Sequence, residues 1–382
     1  MSSITNGRKL VRIQALPLQY PEPNANNRIR YVTLARIETY DGIVGWGECI
    51  SQWPEAALAV KTIIDSGFAP ILMGQDGTQA GRLWQKMRGH AYWHGFGGIV
   101  SFAISALDIA LWDIAGKTAG LPISAMLGGK LLDKVPACAS VILNTLDLGA
   151  LKEEFASYRE RGFQAVKGGW GQVPEAGFGT NRIRDMKVAR TVRDTIGSTL
   201  GMALDVSAIA KWSASHAASM AEQLQEVNLT WLEDALHHDD HNGYRQMKSR
   251  VPTALATGER CWTLNDYQRL VRSKGIDIIL VDPGRVEGIS GMKAIVDDAA
   301  TQRIRFVPHS WSSAINTAAA LHVYAASTNG EIFEIKPAPS PMQHELVETP
   351  IDQKSGWILV SDTPGLGINI NEEIVKKYLY QG

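Results

Sequence analysis

From about residue 135 to residue 335, short β-rich runs alternate with amphipathic helical stretches, and this rhythm constrains the fold more than any other feature. Parallel strands need helical crossovers to join them, so the alternation calls for a parallel sheet. Candidate strands are 137–143, 165–168, 202–206, 230–233, 254–258, 276–282, 304–308 and 331–335. Seven or eight such units close into a TIM-like (β/α) barrel. An open doubly wound sheet is the rival, but no glycine-rich dinucleotide fingerprint follows the first strand.

The segment before this rhythm reads differently. Two alternating, β-branched stretches, 10–15 and 31–40, precede the turn Asp41-Gly42 and a short return over 43–48, which predicts an antiparallel sheet with a hairpin. Between them PLQYPEPNANN, 17–27, is rich in turn formers and reads as a long mobile loop. From 53 to 120 apolar residues recur at helical spacing, most plainly over 100–116. The expected class is therefore α/β, with an α+β capping domain over 1–130 and the barrel over 131–350. The segment 351–382, which carries the turn-rich SDTPGLGIN, is expected to return to the capping domain.

With 38 basic against 39 acidic side chains, no charge surplus points to nucleic acid or a membrane surface. Cys49, Cys138 and Cys261 are scattered without metal-type spacing, which predicts buried thiols in a reducing compartment. The opening MSSITNGRKLVRI lacks the apolar core of a signal peptide, and no run is read as approaching the roughly 20 apolar residues that span a bilayer. A cytoplasmic enzyme assembled as a symmetric homo-oligomer, the common soluble pattern, is the expectation.

Seven ionisable residues sit at the ends of the last seven strands: Lys167, Asp205, Glu233, Glu259, Asp282, His309 and Glu334. From Asp205 onward the steps are 28, 26, 23, 27 and 25 residues, each close to one βα unit. Strand ends of a barrel meet at one mouth, so these side chains are expected to share a pocket. Buried carboxylates repel one another and need a cation. Asp205, Glu233 and Glu259 offer only hard oxygen donors, which suits Mg²⁺ better than Zn²⁺. Acids after strands often do no more than cap the next helix. Three on consecutive strands outweigh that reading.

The runs LDVS, WLEDA, ATGER, ILVDPGRVEGISG and FVPHSW, together with DGIVGWGE and SALDIALWDIAGK nearer the N-terminus, resemble the mandelate racemase subgroup of the enolase superfamily. The resemblance implies that Asp205, Glu233 and Glu259 ligate one Mg²⁺ and that Asp282 and His309 form a catalytic dyad. It implies that Lys167 neutralises a substrate carboxylate and that Glu334, in IFEI, hydrogen-bonds a carboxylate oxygen. Enolase-type sites stabilise the charge formed when an α-proton leaves, using Mg²⁺ and a Lys or His base. The usual pattern after the second barrel strand is K-x-K; here, in QAVKGGWG, the second lysine is replaced by Gly169. Two-base racemisation needs groups on both faces of the α-carbon, whereas loss of a β-hydroxyl needs one base that then serves as acid. The expected reaction is dehydration of an acid sugar to a 2-keto-3-deoxy acid. A racemase, epimerase or lactone cycloisomerase is the nearest alternative, and a silent binding protein a more distant one.

Tyr20 and Trp53 correspond to loops that close over the mouth in the resembling family, and Trp170 is expected to line the pocket. Ser207 stands where the pattern often has Asn. The loop LHHDDHNGY, with His237, His238 and His241, reads as solvated βα loop rather than a metal site, with His238 available to substrate or in place of the absent lysine. GQVPEAGFGTN lacks the lysine and serine of a phosphate-binding loop.

Overall fold

The computed structural model describes residues 7–171, 173–207 and 210–382. The N-terminal residues 1–6, part of the stretch read as lacking a leader, lie outside it, as do Gln172, Ala208 and Ile209. Eight parallel strands form the barrel: β4 (Lys134–Ile142), β5 (Ala165–Gly169), β6 (Gly201–Asp205), β7 (Trp231–Glu233), β8 (Leu255–Thr257), β9 (Ile278–Val281), β10 (Arg305–Pro308) and β11 (Phe333–Ile335). Neighbours pair in chain order from β4 to β10, and β11 pairs β4. The ring closes through the Phe306 N–H to Asn329 O bond (3.0 Å) and the Glu331 N–H to Phe306 O bond (2.9 Å). Every strand overlaps a segment expected from the sequence.

The capping domain holds a three-stranded antiparallel sheet, β1 (Leu10–Glu22), β2 (Arg28–Thr39) and β3 (Val44–Ile50), in that order. Here one expectation is corrected. Most of the stretch read as a long loop is strand, paired residue by residue from Pro17 with Thr33 to Glu22 with Arg28. Its prolines are tolerated because β1 lies at the sheet edge and need not donate at those positions. Only 23–27 turn, with Asn26 and Asn27 both at φ 56°.

A second correction concerns the helix Ile99–Ala119. It has the length and apolarity to cross a bilayer, which the sequence reading denied to every run, yet 78% of that window is buried inside the fold. The helix packs directly on β3. At Gly47 an added Cβ would lie 1.8 Å from Ala106 O, and at Gly45 2.3 Å from Ala110 O. The glycines of DGIVGWGE are thus the price of close helix-on-sheet contact. Gly47→Ala is expected to cost about 3 kcal/mol, since backbone rather than a side chain must move. Chemical denaturation of the variant checks this.

Asp113 of the same helix accepts from Trp46 N–H (3.0 Å) and Leu366 N–H (2.9 Å), tying hairpin, helix and C-terminal segment together. That segment serves both halves of the molecule. β12 (Trp357–Leu359) pairs β4 antiparallel, while Tyr380 N–H bonds Pro17 O at 2.8 Å. The cap is seated on the barrel by buried polar contacts. Lys336 meets Glu22 at 2.6 Å with both side chains fully buried, Asn316 N–H reaches Glu48 at 3.3 Å, and Ser290 N–H reaches Asp108 at 2.9 Å.

Candidate active site

The barrel register sets the site. Gly169, Asp205 and Glu233 stand in register across β5, β6 and β7, and Glu259, Asp282 and His309 follow the ends of β8, β9 and β10. All seven ionisable residues singled out from the sequence lie at this end of the barrel, and all seven are buried. Lys167 organises one half. Its Nζ bonds Glu233 Oε1 at 2.5 Å, lies 2.8 Å from Glu334 Oε1 and 3.8 Å from Asp205 Oδ2. The Glu334 contact lacks hydrogen-bond geometry, so both Glu334 carboxyl oxygens are without a hydrogen-bond partner among the described residues. Glu233 Oε2 accepts from Trp231 Nε1 at 2.9 Å.

His309 organises the other half. Asp282 Oδ2 lies 2.8 Å from its Nδ1, and Glu259 Oε2 lies 3.1 Å from its Nε2. Asp282 is itself held by Gly284 N–H (2.8 Å), Asn316 Nδ2 (3.1 Å) and Arg285 Nε (3.3 Å). An imidazole clamped at Nδ1 has its other nitrogen aimed in one direction. That direction is toward the carboxylate cluster.

The electrostatics follow from burial. Burial, then repulsion from Glu233, pushes Asp205 up to about 8 even though Lys167 opposes it. Glu233 is likewise pushed up to about 8, first by burial, with repulsion from Glu334 adding to it against the pull of Lys167. Burial and Arg285 act to lower His309, but Glu259 and the Asp282 hydrogen bond outweigh them and hold it near 9. Glu259 is drawn well below the usual carboxylate range: burial opposes this, and His309 prevails. Burial would lower Lys167, but Glu233, Glu334 and Asp205 keep it well above the ordinary lysine value. Asp205 and Glu233 hold protons into the neutral range because burial and the neighbouring carboxylates outweigh the pull of Lys167.

The three carboxylates expected to hold a metal thus share one end of the barrel, on neighbouring strand ends, with only oxygen donors. Among the described residues no three acid, His or Cys side chains converge on one point as they stand. Lys167 and His309 sit between them instead. The donor set and its unmet need for positive charge fit a hard divalent cation.

The remaining sequence candidates divide. Ser207 is buried, at φ 60°, and its N–H bonds Asp205 Oδ1 at 2.6 Å, so its backbone rather than its hydroxyl supports the cluster. Trp170, also at φ 60°, is 40% exposed, with the Arg260 guanidinium 5.8 Å from its ring. Tyr20 is buried, directly opposite Arg30 on the cap hairpin. His238 is half-buried beside His237, ring centroids 4.4 Å apart, and its Nδ1 has no hydrogen-bond partner among the described residues. Trp53 is 61% exposed at the start of the helix Pro54–Thr62 and makes no polar contact with the cluster among the described residues. All three cysteines are free and buried, as expected.

Several contributors escaped sequence reasoning. Arg285 bonds Glu259 O at 2.6 Å as well as meeting Asp282; its only signal was its place three residues after Asp282. Asn316 had no local signal, because it reaches Asp282 from the helix Ala314–Ala325, which follows β10. Asp234, at φ 46° beside Glu233, is pushed up to about 7 by burial and by Glu259. Gly169 holds a further fact: a Cβ there would lie 2.5 Å from Asp205 Cβ and 2.6 Å from Asp205 O. The place of the second lysine is closed to any side chain while β5 and β6 keep this spacing.

Comparison with known proteins places the chain. Residues 150–374 match the enolase C-terminal domain-like family and residues 12–128 the N-terminal domain of mandelate racemase / muconate lactonizing enzyme. D-galactarolactone cycloisomerase of Agrobacterium fabrum is 28% identical over 94% of this chain and 95% of its own. Arabinonate dehydratase of Saccharolobus solfataricus is 26% identical over 91% and 90% respectively. The crystal structure of the 3,6-anhydro-D-galactonate cycloisomerase of Zobellia galactanivorans superposes with TM-score 0.88 at 26% identity, covering 98% of this chain and 100% of that one. With both domains of one architecture matched in order, the chain belongs to the mandelate racemase / muconate lactonizing enzyme family of the enolase superfamily.

Proposed function

We propose that the protein is an acid-sugar dehydratase that removes the proton α to a carboxylate and expels the β-hydroxyl. The observation that carries this reading is one-sided base geometry: His309, fixed by Asp282 at 2.8 Å, faces the carboxylate cluster, while the position of a second base is sterically shut at Gly169. Lys167 neutralises the substrate carboxylate. In its neutral form His309 takes the α-proton at Nε2, the freed electron pair forms the carbon–carbon double bond, and the β-carbon–oxygen bond breaks. The same ring returns its proton to the departing hydroxide, which leaves as water, and the enol becomes a 2-keto-3-deoxy acid. Asp282 keeps the ring oriented and stabilises the imidazolium between the two transfers. Asp205, Glu233 and Glu259 would hold Mg²⁺, which supplies Lewis-acid stabilisation of the negative charge developing on the carboxylate.

A lactone cycloisomerase is the second reading, favoured by the cycloisomerases among the relatives. The same base suffices when the β-oxygen that leaves belongs to a ring. One experiment separates the readings: acid sugars and their lactones are incubated with the protein and Mg²⁺ in D₂O and followed by NMR. Water loss to a 2-keto acid supports dehydration, and ring opening without water loss supports cycloisomerisation. α-Deuteration without elimination would assign a racemase or epimerase. No change in any compound would point to a binding protein.

The pKa pattern predicts how metal and pH interact. Asp205 and Glu233 keep protons to about pH 8, whereas in the unfolded chain they ionise near pH 4. Between those limits the metal-free folded state binds more protons than the unfolded state, so its stability falls as pH rises. His309, raised to about 9, works in the same direction over the upper part of that window. The melting temperature of the EDTA-treated protein should drop by several degrees from pH 5 to pH 8, and Mg²⁺ should remove most of the slope. Because a cation competes with those protons, apparent Mg²⁺ affinity should rise over the same range, by up to about tenfold per pH unit for each proton displaced.

A further inference from the structure

Resting on the reading of this site as one that takes an acid sugar, the structure also speaks to the far end of the substrate. Arg30, at the start of β2, stands opposite Tyr20 on the cap hairpin. Its guanidinium lies over the Trp311 ring, 5.1 Å from the centroid. Trp311 follows His309 by two residues, and its Nε1 donates to Ser140 Oγ at 3.1 Å. Ser140 is in register with Lys167 across β4 and β5. The indole therefore extends from the His309 side of the mouth to the strand beside Lys167, and Arg30 sits above it.

Among the described residues Arg30 makes no ion pair and no side-chain hydrogen bond. Nearby acids are already engaged: Glu22 by Lys336 at 2.6 Å and Asn24 at 2.8 Å, Glu48 by the backbone N–H groups of Ser313 at 3.2 Å and Asn316 at 3.3 Å. Besides Glu22, the charges acting on Arg30 are cations: Arg285, which is committed to Asp282 and to Glu259 O, and Arg28. Burial, and repulsion from Arg285, bring Arg30 below its ordinary range, although Tyr20 and Glu22 act against this. A half-buried guanidinium with no protein acceptor among the described residues presents a planar donor fork, and that fork matches a carboxylate.

We propose that Arg30, supported on Trp311, binds a second, terminal carboxylate of the substrate, so that the preferred substrate class is the sugar diacid (aldarate, or its monolactone) rather than the aldonate with an uncharged end. Lys167 takes the carboxylate next to the reacting carbon, and the cap cation measures the distance to the other.

The test reads binding, so it does not depend on the reaction assigned above. With Mg²⁺ present, aldarates and aldonates of matched configuration are titrated calorimetrically into His309→Asn protein, with and without Arg30→Met. Tighter binding of an aldarate than of the matching aldonate is expected, and Arg30→Met should weaken the aldarate by about 30- to 100-fold, removing most of that preference. Arg30→Lys should recover part of it, separating loss of charge from loss of packing. Equal weakening of both acids, absence of any aldarate preference, or tighter binding of an aldonate phosphorylated at its far end would overturn the proposal. Lack of turnover of every acid by the protein with His309 intact would instead refute the dehydratase reading and leave this binding result standing.

Discussion

His309→Asn is expected to lower turnover by about 10²- to 10⁴-fold while Mg²⁺ still binds, since general acid–base groups contribute on this order and the proposed metal ligands are untouched. Asparagine retains a donor of similar reach toward Asp282, whose position is fixed independently by Gly284 and Asn316. The variant should therefore fold normally. Substrate incubated with it in D₂O should also fail to acquire deuterium at the α-carbon. That second readout separates loss of the base from loss of the later proton return to the leaving group. Residual activity within tenfold of the parent would mean that another group removes the proton.

Stripping divalent cations with EDTA should abolish turnover, by more than about 10³-fold, because several kcal/mol of transition-state stabilisation would disappear at once. Mg²⁺ should restore it. Glu233→Gln should mimic the loss in the presence of excess Mg²⁺. The amide keeps the shape of a side chain packed between Lys167 and Trp231 but removes one negative charge from the donor set. Circular dichroism would confirm that the barrel persists. Full activity in EDTA would refute the assignment of Asp205, Glu233 and Glu259 as metal ligands.

Much of the architecture was legible before any coordinate. All eight barrel strands overlap segments marked by β-rich runs between helices, because a parallel sheet buried on both sides leaves a continuous apolar signature. The spacing of Lys167, Asp205, Glu233, Glu259, Asp282, His309 and Glu334 was visible for the same reason: each falls at or within two residues of a strand end. The misreadings also have physical causes. PLQYPEP looks like a loop because proline cannot pair in a sheet interior, yet β1 runs along an edge. Helix Ile99–Ala119 was underrated as an apolar span, since its small residues and two aspartates conceal how apolar it is overall.

Local pattern along the chain determined the strand count, the order of the elements and the set of charged groups at the mouth, since periodicity and spacing are properties of neighbours in sequence. Only the folded molecule decided that Arg285 and Asn316 grip Asp282, that Arg30 stands above Trp311 with no ion pair among the described residues, and that Asp205 shuts the space beside Gly169. Those relations join residues on different strands and helices, some of them far apart in sequence, and nothing in local periodicity encodes a distance between side chains that meet through packing.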